Sequence, residues 1–395
     1  MAGPMSGIKV IDLGAMIAGP MAATILCDQG ADVIKIEPPG IGDLMRHFGA
    51  TCNGVGGLYH STNRGKRSLA LDLKSAVGVD LVKELAASAD VVLQNFRPGV
   101  AARLGVDYEA LRAVNPQLIY LSVSGFGEYG PLAKKPAYDN VMQAFSGVAQ
   151  SQANIETGEP RNYYQLFCDK LTALTGSQAI SAALFARERG HGGQHISLSM
   201  VDSVVSFLWA DVARADAFTD KSAKQGMSIS RGVRLMQFQD GYGAAAAATD
   251  IQFQGYCRAF GEDASKIGLA TAMERNNNIE ELQALVRKIA NTARSMTTAE
   301  AMDALDAQDV PCSTAQHLAD LPAHPQMKAN KSFVAIEHPL AGTIIEPNNA
   351  PNFEGTPSPE LRVCADLGEH TDQIMLDLGR TDEDIARLRA TGVIA

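Results

Sequence analysis

The chain has 395 residues, more than the roughly 250–300 that one hydrophobic core usually serves, so we expect two domains. Its 46% hydrophobic and 20% charged residues are typical of a soluble globular protein, and a formal net charge of −10 argues against general electrostatic binding to nucleic acid. The six cysteines are widely spaced and lack the spacing of metal ligands. No apolar run approaches the roughly 18 residues that span a bilayer, and the N-terminus does not resemble a signal peptide. These features predict a cytoplasmic protein that is not embedded in a membrane.

The first 215 residues alternate β-branched runs with helical patterns. Predicted strands cover residues 7–14, 32–38, 67–73, 90–96, 118–124 and 195–200, and predicted helices cover 18–29, 77–88, 108–114 and 201–213. Gly30 is expected as the residue that ends the first helix. This alternation predicts a parallel sheet covered on both faces, whose ligands lie beyond the carboxyl ends of the strands.

A long helix is predicted from about Tyr164, and its first turns carry Asp169. The helix dipole favours the ionised form of a carboxyl group at this end, and a positioned carboxylate can act as a nucleophile. The face beside it has mostly small side chains, which allow close approach: Thr172, Ala173, Gly176, Ala179, Ile180 and Ala183. A lone helical aspartate is also commonly an ion-pair partner, so the helix alone leaves both roles open.

After residue 215 the pattern changes. Residues 216–227 resemble a linker, and a smaller α+β domain is expected over 228–329, with a strand at 242–248 and helices at 250–260, 279–291 and 298–307. Residues 333–337 and 342–345 predict a hairpin, and two short helices close the chain. The second of these helices opens with Thr381 and Asp384 in the spacing of a capping box.

Residues 125–130 read GFGEYG and match the spacing of a dinucleotide-binding loop. That loop requires a helix directly after it, with its N-terminus facing the pyrophosphate. Pro131 and Pro136 oppose such a helix here. We therefore interpret the segment as a loop of small residues.

Basic residues cluster between positions 64 and 135 of an otherwise acidic chain. They are Arg64, Lys66, Arg67, Lys74, Arg97, Arg103, Lys134 and Lys135. Asn95, Phe96 and Arg97 directly follow a predicted strand, so they are expected at the carboxyl edge of the sheet. Arg97 and Arg103 suit phosphate oxygens, Lys74 suits a point charge and Phe96 suits stacking on an aromatic base. A solvated charged surface explains the same residues equally well.

Several segments together resemble the class III CoA-transferases, the family that also contains α-methylacyl-CoA racemase. They are residues 10–39, 63–75, 90–111, 137–147, the Asp169 helix, 192–203 and 367–379. The resemblance implies a Rossmann-like large domain built from both chain ends, residues 1–215 and 330–395, with the smaller domain inserted between them. It also implies an interlocked homodimer.

The same resemblance assigns candidate site residues. Asp169 matches the catalytic aspartate of the family. Residues expected to contact CoA are Leu71, Lys74, Asn95, Phe96, Arg97, Arg103 and Lys135. The implied reaction moves CoA from an acyl-CoA to a free carboxylic acid through an aspartyl anhydride and thioester, and it requires no cofactor and no metal.

Two departures from the family pattern bear on the reaction. Tyr138 stands where the racemases carry a histidine, so the alternative of an acyl-CoA racemase or isomerase is weakened. The resemblance also implies that Tyr138 lies at the acyl pocket. The glycine-run loop of formyl-CoA transferase is missing from residues 228–248, so oxalate and formate are not favoured. A non-catalytic acyl-CoA binder is the second alternative, because it would need the basic residues but not Asp169.

Overall fold

A computed structural model describes residues 3–154, 156–220, 222–223 and 235–395. Its strands are β1 Lys9–Asp12, β2 Asp32–Glu37, β3 Thr51–Cys52, β4 Val55–Gly56, β5 Arg67–Ala70, β6 Val91–Gln94, β7 Ile119–Ser124, β8 Gln194–Ser199, β9 Met236–Gln237, β10 Tyr242–Ala245, β11 Cys312–Thr314, β12 Phe333–His338 and β13 Gly342–Pro347. Its α-helices are α1 Ala18–Asp28, α2 Gly57–Asn63, α3 Ala76–Ala86, α4 Val100–Leu104, α5 Tyr108–Arg112, α6 Asp139–Phe145, α7 Val148–Ser151, α8 Phe167–Ala186, α9 Met200–Val212, α10 Asp250–Ala259, α11 Ala272–Asn277, α12 Ile279–Ala293, α13 Thr298–Asp306, α14 Pro325–Ala329, α15 Thr371–Asp377 and α16 Asp382–Ala390.

The chain divides into two compact units. One takes in the chain up to Ala210 and again from Lys328 to the C-terminus, and the other covers Asp211–Met327. The predicted domain start at 228 lies outside the described residues, as do 221 and 224–227 of the predicted linker. The domain boundaries drawn from the sequence therefore stay predictions.

The predicted parallel sheet is confirmed. Six strands pair in the order β5-β2-β1-β6-β7-β8, and every pairing between neighbours is parallel. From β1 the chain moves outward on one side through β2 and β5, then returns to the other side of β1 with β6. The carboxyl ends of β1 and β6 thus form the topological switch point, where ligands of such sheets bind.

Both faces of this sheet are covered, because its residues are apolar on both sides. Val10 packs with α1 and α8 through Leu26 and Ile180, whereas the next residue, Ile11, packs with α3 and α15 through Leu81 and Ile374. β6 and β7 are buried along their whole length. Full burial and parallel pairing go together, since the connecting helices cover both faces.

The unit that covers Asp211–Met327 has its own core. In it β10 pairs antiparallel with β9 and β11, and the apolar sides of α10, α12 and α13 pack together through Cys257, Ile289 and Leu305. Helix α10 and helix α13 both begin with complete capping boxes, which satisfy the free N–H groups of their first turns.

The C-terminal region follows the predicted pattern. β12 and β13 form the expected hairpin, and Thr381 and Asp384 form the expected capping box at the start of α16. The end of the chain returns to the large sheet, where Leu71 and Ile394 form an antiparallel bridge. The Gly30 prediction is confirmed as well, since this residue follows α1 with a φ of 102°.

Helix α8 begins at Phe167, three residues later than predicted. The reason is a side chain from outside the helix. Gln143 accepts a hydrogen bond from the Tyr163 N–H at 2.7 Å and donates to the carbonyls of Tyr163 and Gln165 at 3.2 and 3.1 Å. These backbone groups are satisfied without joining the helix. The sequence reading also missed α6, the short helix that carries Gln143.

Candidate active site

Two loops meet at the switch point of the sheet. Asn95, just after β6, accepts a hydrogen bond from the Ala15 N–H at 2.8 Å and donates to the Ala15 carbonyl at 2.8 Å. Helix α1 also approaches Asn95 closely at Gly19, where an added Cβ would lie 3.2 Å from the Asn95 side chain. This reciprocal pair of hydrogen bonds fixes the loop that presents Phe96 and Arg97.

A cavity of about 220 Å³ opens beside this pair. Six of the predicted site residues line it: Asn95, Phe96, Arg97, Lys135, Tyr138 and Asp169. They come from three separate stretches of the chain, and the carboxyl edge of the sheet brings them together. Arg97, Lys135 and Tyr138 are exposed, with Tyr138 at 59%, whereas Asp169 is half-buried in the wall.

The first turn of α8 holds Asp169, as the sequence predicts. Its backbone N–H donates to Asp139 Oδ1 at 3.0 Å, and the other oxygen of Asp139 accepts from Gln143 Nε2 at 2.5 Å. Asp139 and Gln143 are almost fully buried, at 4% and 1% exposure. A buried carboxylate therefore caps the turn that presents Asp169. The sequence reading missed both residues, although an acidic residue that opens a short helix was a usable signal.

The pKa of Asp169 is raised to about 7, first because the surrounding protein removes water from the carboxyl group and second because the Asp139 carboxylate lies close. The sequence reading expected the opposite direction from the helix dipole. That expectation is wrong, because burial and a like charge outweigh the dipole here. Near neutral pH the group exists both as acid and as carboxylate.

The small-residue face of α8 packs inward. A Cβ added at Gly176 would lie 3.1 Å from Leu121 of β7 and 3.6 Å from Ala22 of α1. The small side chains thus let α8 approach the sheet and α1 closely, as the pattern indicated. They do not cover the Asp169 cavity.

Leu71 and Lys74 line a neighbouring cavity of about 370 Å³ instead. Leu71 is buried, and Lys74 is exposed. Ala15 and Phe96 line both cavities, so the two lie side by side along the switch point. Arg103 is exposed on α4 and lines neither cavity, although its neighbour Leu104 lines the larger one.

Three members of the basic cluster are committed to ion pairs within the protein. Lys66 is 3% exposed and donates to Asp12 Oδ2 at 2.8 Å. Arg64 bridges Asp28 and Glu346, and Arg67 bridges Asp32 and Asp377. These three residues therefore belong neither to the predicted phosphate site nor to a solvated charged surface. Their partners stabilise the fold, and the cations that remain exposed are Lys74, Arg97, Arg103, Lys134 and Lys135.

The GFGEYG segment is a loop, as predicted, and the next helix begins only at Asp139. In the part of the chain that the structure describes, no three histidine, cysteine, aspartate or glutamate side chains are grouped to hold a metal ion. The described helices also include none that is both long enough and apolar enough to cross a bilayer.

The chain is similar to known proteins over nearly its whole length. The sequence profile of CoA-transferase family III matches residues 5–371. A succinate–glutarate CoA-transferase of Agrobacterium fabrum is 33% identical over 95% of this chain and 96% of its own length, and a formyl-CoA:oxalate CoA-transferase of Shigella sonnei is 30% identical over the whole of both chains. A solved CAIB/BAIF family protein from Brucella suis superposes with a TM-score of 0.82 at 31% identity, over 96% of this chain and all of the other.

Proposed function

We propose a covalent mechanism for this chain, which belongs to CoA-transferase family III and is an enzyme of that class. In it, Asp169 carries the acyl group and then CoA between two carboxylic acids. One observation carries the proposal: Asp169 lies in the wall of the same cavity as Asn95, Phe96 and Arg97. A nucleophilic carboxylate and a loop suited to a phosphorylated, aromatic ligand therefore share one site.

The mechanism begins when the Asp169 carboxylate attacks the thioester carbonyl of the donor. The C–S bond breaks, and a mixed acyl–aspartyl anhydride forms with release of CoA thiolate. The thiolate then attacks the aspartyl carbonyl, which frees the donor acid and leaves an aspartyl–CoA thioester. The acceptor carboxylate attacks this thioester to give a second anhydride and thiolate. In the last step the thiolate attacks the acceptor acyl carbonyl and restores the Asp169 carboxylate.

CoA is long enough to need both cavities. In our proposal its reactive sulfur approaches Asp169, and its nucleotide end extends past Phe96 toward Leu71 and Lys74. The exposed cations Arg97, Arg103 and Lys135 supply charge for the phosphate groups. Phe96 supports this arrangement because it lines both cavities.

For the acceptor we propose a small dicarboxylic acid. Glutarate and oxalate, which appear in the names of the two relatives, are both dicarboxylic acids. The carboxylate that does not react would pair with a cation at the cavity. The expectation from residues 228–248 that oxalate is disfavoured stays a prediction, and residues 228–234 of this segment lie outside the described residues.

We also propose that the enzyme is a homodimer, interlocked as the resemblance implies. Large apolar side chains remain exposed on α8 and α9, with Leu174 at 55%, Phe185 at 67%, Phe207 at 59% and Trp209 at 55%. Exposed apolar groups of this size on neighbouring helices are typical of a surface that a partner covers. Light scattering coupled to size-exclusion chromatography measures the mass of the assembly, and a monomer of 41.9 kDa would contradict the proposal.

The six free cysteines support our further proposal that the enzyme works in the cytoplasm. Four of them, Cys27, Cys168, Cys257 and Cys364, are buried. Burial raises the pKa of the Cys27 thiol to about 11, so this group stays protonated and unreactive at neutral pH. Fractionation of cells that express a tagged protein tests the location.

The decisive experiment measures CoA exchange from succinyl-CoA to a panel of dicarboxylic and branched acids. We expect acid-dependent formation of the new acyl-CoA by the wild type. Asp169→Ala should lose this activity by about three orders of magnitude or more, because a covalent nucleophile is missing, yet it should retain CoA binding. Hydroxylamine added during turnover should leave a hydroxamate at Asp169 that peptide mass spectrometry detects. Full activity of Asp169→Ala would end the covalent proposal.

A further inference from the structure

A second polar system lies on the other side of Phe96, in three neighbouring strands of the sheet. His195 on β8 lies with its Nε2 atom 2.8 Å from Ser122 Oγ on β7. Ser122 Oγ accepts from Gln94 Nε2 on β6 at 3.0 Å, and Gln94 Oε1 accepts from the Phe96 N–H at 2.6 Å. These contacts form one continuous chain from an exposed histidine to the backbone of the predicted CoA loop.

We propose that His195, Ser122 and Gln94 are positioning residues for the CoA site. In this proposal, which rests on the function proposed above, they hold the Phe96 N–H and so set the position of the Asn95–Phe96–Arg97 loop. Gln94 and Ser122 are each 6% exposed, so their polar groups depend on partners within the protein. None of the three touches Asp169, and each acts through the next.

The orientation of the Gln94 amide is the critical step. Its oxygen must face the Phe96 N–H, so its NH₂ group must face acceptors. The Ser122 hydroxyl lies on that side, with its Oγ atom 3.0 Å from Gln94 Nε2.

Ser122 has a single hydroxyl hydrogen, and His195 decides where that hydrogen points. When Nε2 of His195 carries no proton, Ser122 donates to it and accepts from Gln94. The relay thus requires the neutral His195 tautomer with its proton on Nδ1. Without the imidazole acceptor, Ser122 is free to donate toward Gln94, which favours the flipped amide and opposes the hydrogen bond to Phe96.

The ring of His195 is held in place by neighbouring aromatic side chains. It stacks on Tyr108 with ring centroids 5.0 Å apart and meets the Tyr120 ring edge-on at 5.7 Å. A cavity of about 220 Å³ lies over the relay, and Phe96 and Arg97 form part of its wall. His195→Phe keeps a ring for the stacking but removes the acceptor nitrogen, which makes it the informative substitution.

The test compares His195→Phe, Ser122→Ala and the double variant. The first readout is amide hydrogen exchange at Phe96 in the free protein, resolved by fragmentation mass spectrometry. The second is the dissociation constant of CoA from calorimetry. Loss of one hydrogen bond should speed exchange at Phe96 by about three- to tenfold and weaken CoA binding by a similar factor. His191→Phe, at an exposed site just before β8, is the matched control and should change neither.

The double variant separates the relay from simple packing. If His195 acts through Ser122, the double variant should match Ser122→Ala, whereas independent packing effects would add. Additive effects of the two substitutions would overturn the proposal, and so would an unchanged exchange rate at Phe96 in His195→Phe. His195→Phe alters an exposed position, so it can be measured even if Ser122→Ala fails to fold. A wild type that binds no CoA would refute the proposed function, while the exchange rates would still decide on the relay.

Discussion

The Asp169 N–H donates to Asp139 Oδ1 at 3.0 Å, so the first turn of α8 places the Asp169 carboxyl group within the electrostatic influence of a second carboxylate. Among the described residues neither carboxylate forms an ion pair. Asp139 is 4% exposed, and its charge adds to the effect of burial in raising the pKa of Asp169 to about 7. The nucleophile of the proposed mechanism is therefore only partly ionised at neutral pH, and both its rate and its effect on stability should depend on pH.

The rate of CoA transfer should rise with pH through about 7. Below this value Asp169 is mostly protonated, and the neutral acid is a poor nucleophile. The measurement is kcat between pH 5.5 and 8.5 with saturating substrates. A rate that falls as pH rises through this range would contradict the role of an ionised Asp169.

Asp139→Asn should move the same rise to lower pH. The substitution removes the negative charge that opposes ionisation of Asp169, while burial, the larger cause, remains. The pH profile of the variant is compared with that of the wild type, and its melting temperature serves as a check on folding. An unchanged midpoint would show that Asp139 acts only by hydrogen bonding.

Asp169→Asn should make the folded protein more stable at pH 8 but not at pH 4. Burial and the Asp139 charge raise the folded-state pKa of Asp169 from its ordinary value of 3.8 to about 7. The free energy of unfolding therefore falls progressively between about pH 4 and 7, and the loss is complete above pH 7. Asparagine carries no charge and avoids this cost, which we expect to be about 1–3 kcal/mol after allowance for partial exposure. Urea unfolding at both pH values measures the difference.

The exposed helical residue Asp303 provides the control for that experiment. Asp303→Asn should leave the free energy of unfolding nearly unchanged at both pH values, as is usual for surface substitutions. If Asp169→Asn destabilised the protein at pH 8, the cost of the buried charge would be disproved.

Arg97→Ala should weaken CoA binding by about 1.5–3 kcal/mol, the scale of a hydrogen bond to a charged group. Arg97 is exposed at the rim of the cavity, so its removal should leave the fold intact. Calorimetry at two salt concentrations measures the effect, which should shrink at high salt. Arg387→Ala, which alters an exposed arginine of α16, is the control. Equal affinity of wild type and Arg97→Ala would remove Arg97 from the site.

The enzyme should not exchange the α-proton of a 2-methylacyl-CoA. Proton abstraction at that carbon needs two groups with suitable proton affinities on opposite faces. The sequence resemblance predicts Tyr138 at the position where the racemases carry a histidine. Incubation in deuterated buffer without acceptor acid should give no label at C2, whereas added acid should start CoA transfer. Rapid labelling without acid-dependent transfer would favour the racemase.

Local sequence patterns determined much of the fold. The predicted core strands of the large sheet and the helices α1, α3, α9 and α10 agree with the structure to within a few residues. Asp169 also lies in the first turn of α8, and Phe96 and Arg97 directly follow β6, as predicted. These features depend on hydrophobic periodicity and on neighbours within a few positions, which a sequence displays directly. The assignment to CoA depended on family resemblance as well.

Only the tertiary structure decided which charged groups are free to act. Lys66 pairs with Asp12, 54 residues away, and Arg64 pairs with Glu346, 282 residues away. Both cations looked available in the sequence, because periodicity shows which face a residue occupies but not which distant partner meets it. In the same way burial first, and then the charge of Asp139, 30 residues before Asp169, raised the pKa of Asp169 against the expectation. Burial and the distance between charges set the energy of a carboxylate, and both arise only when the chain is packed.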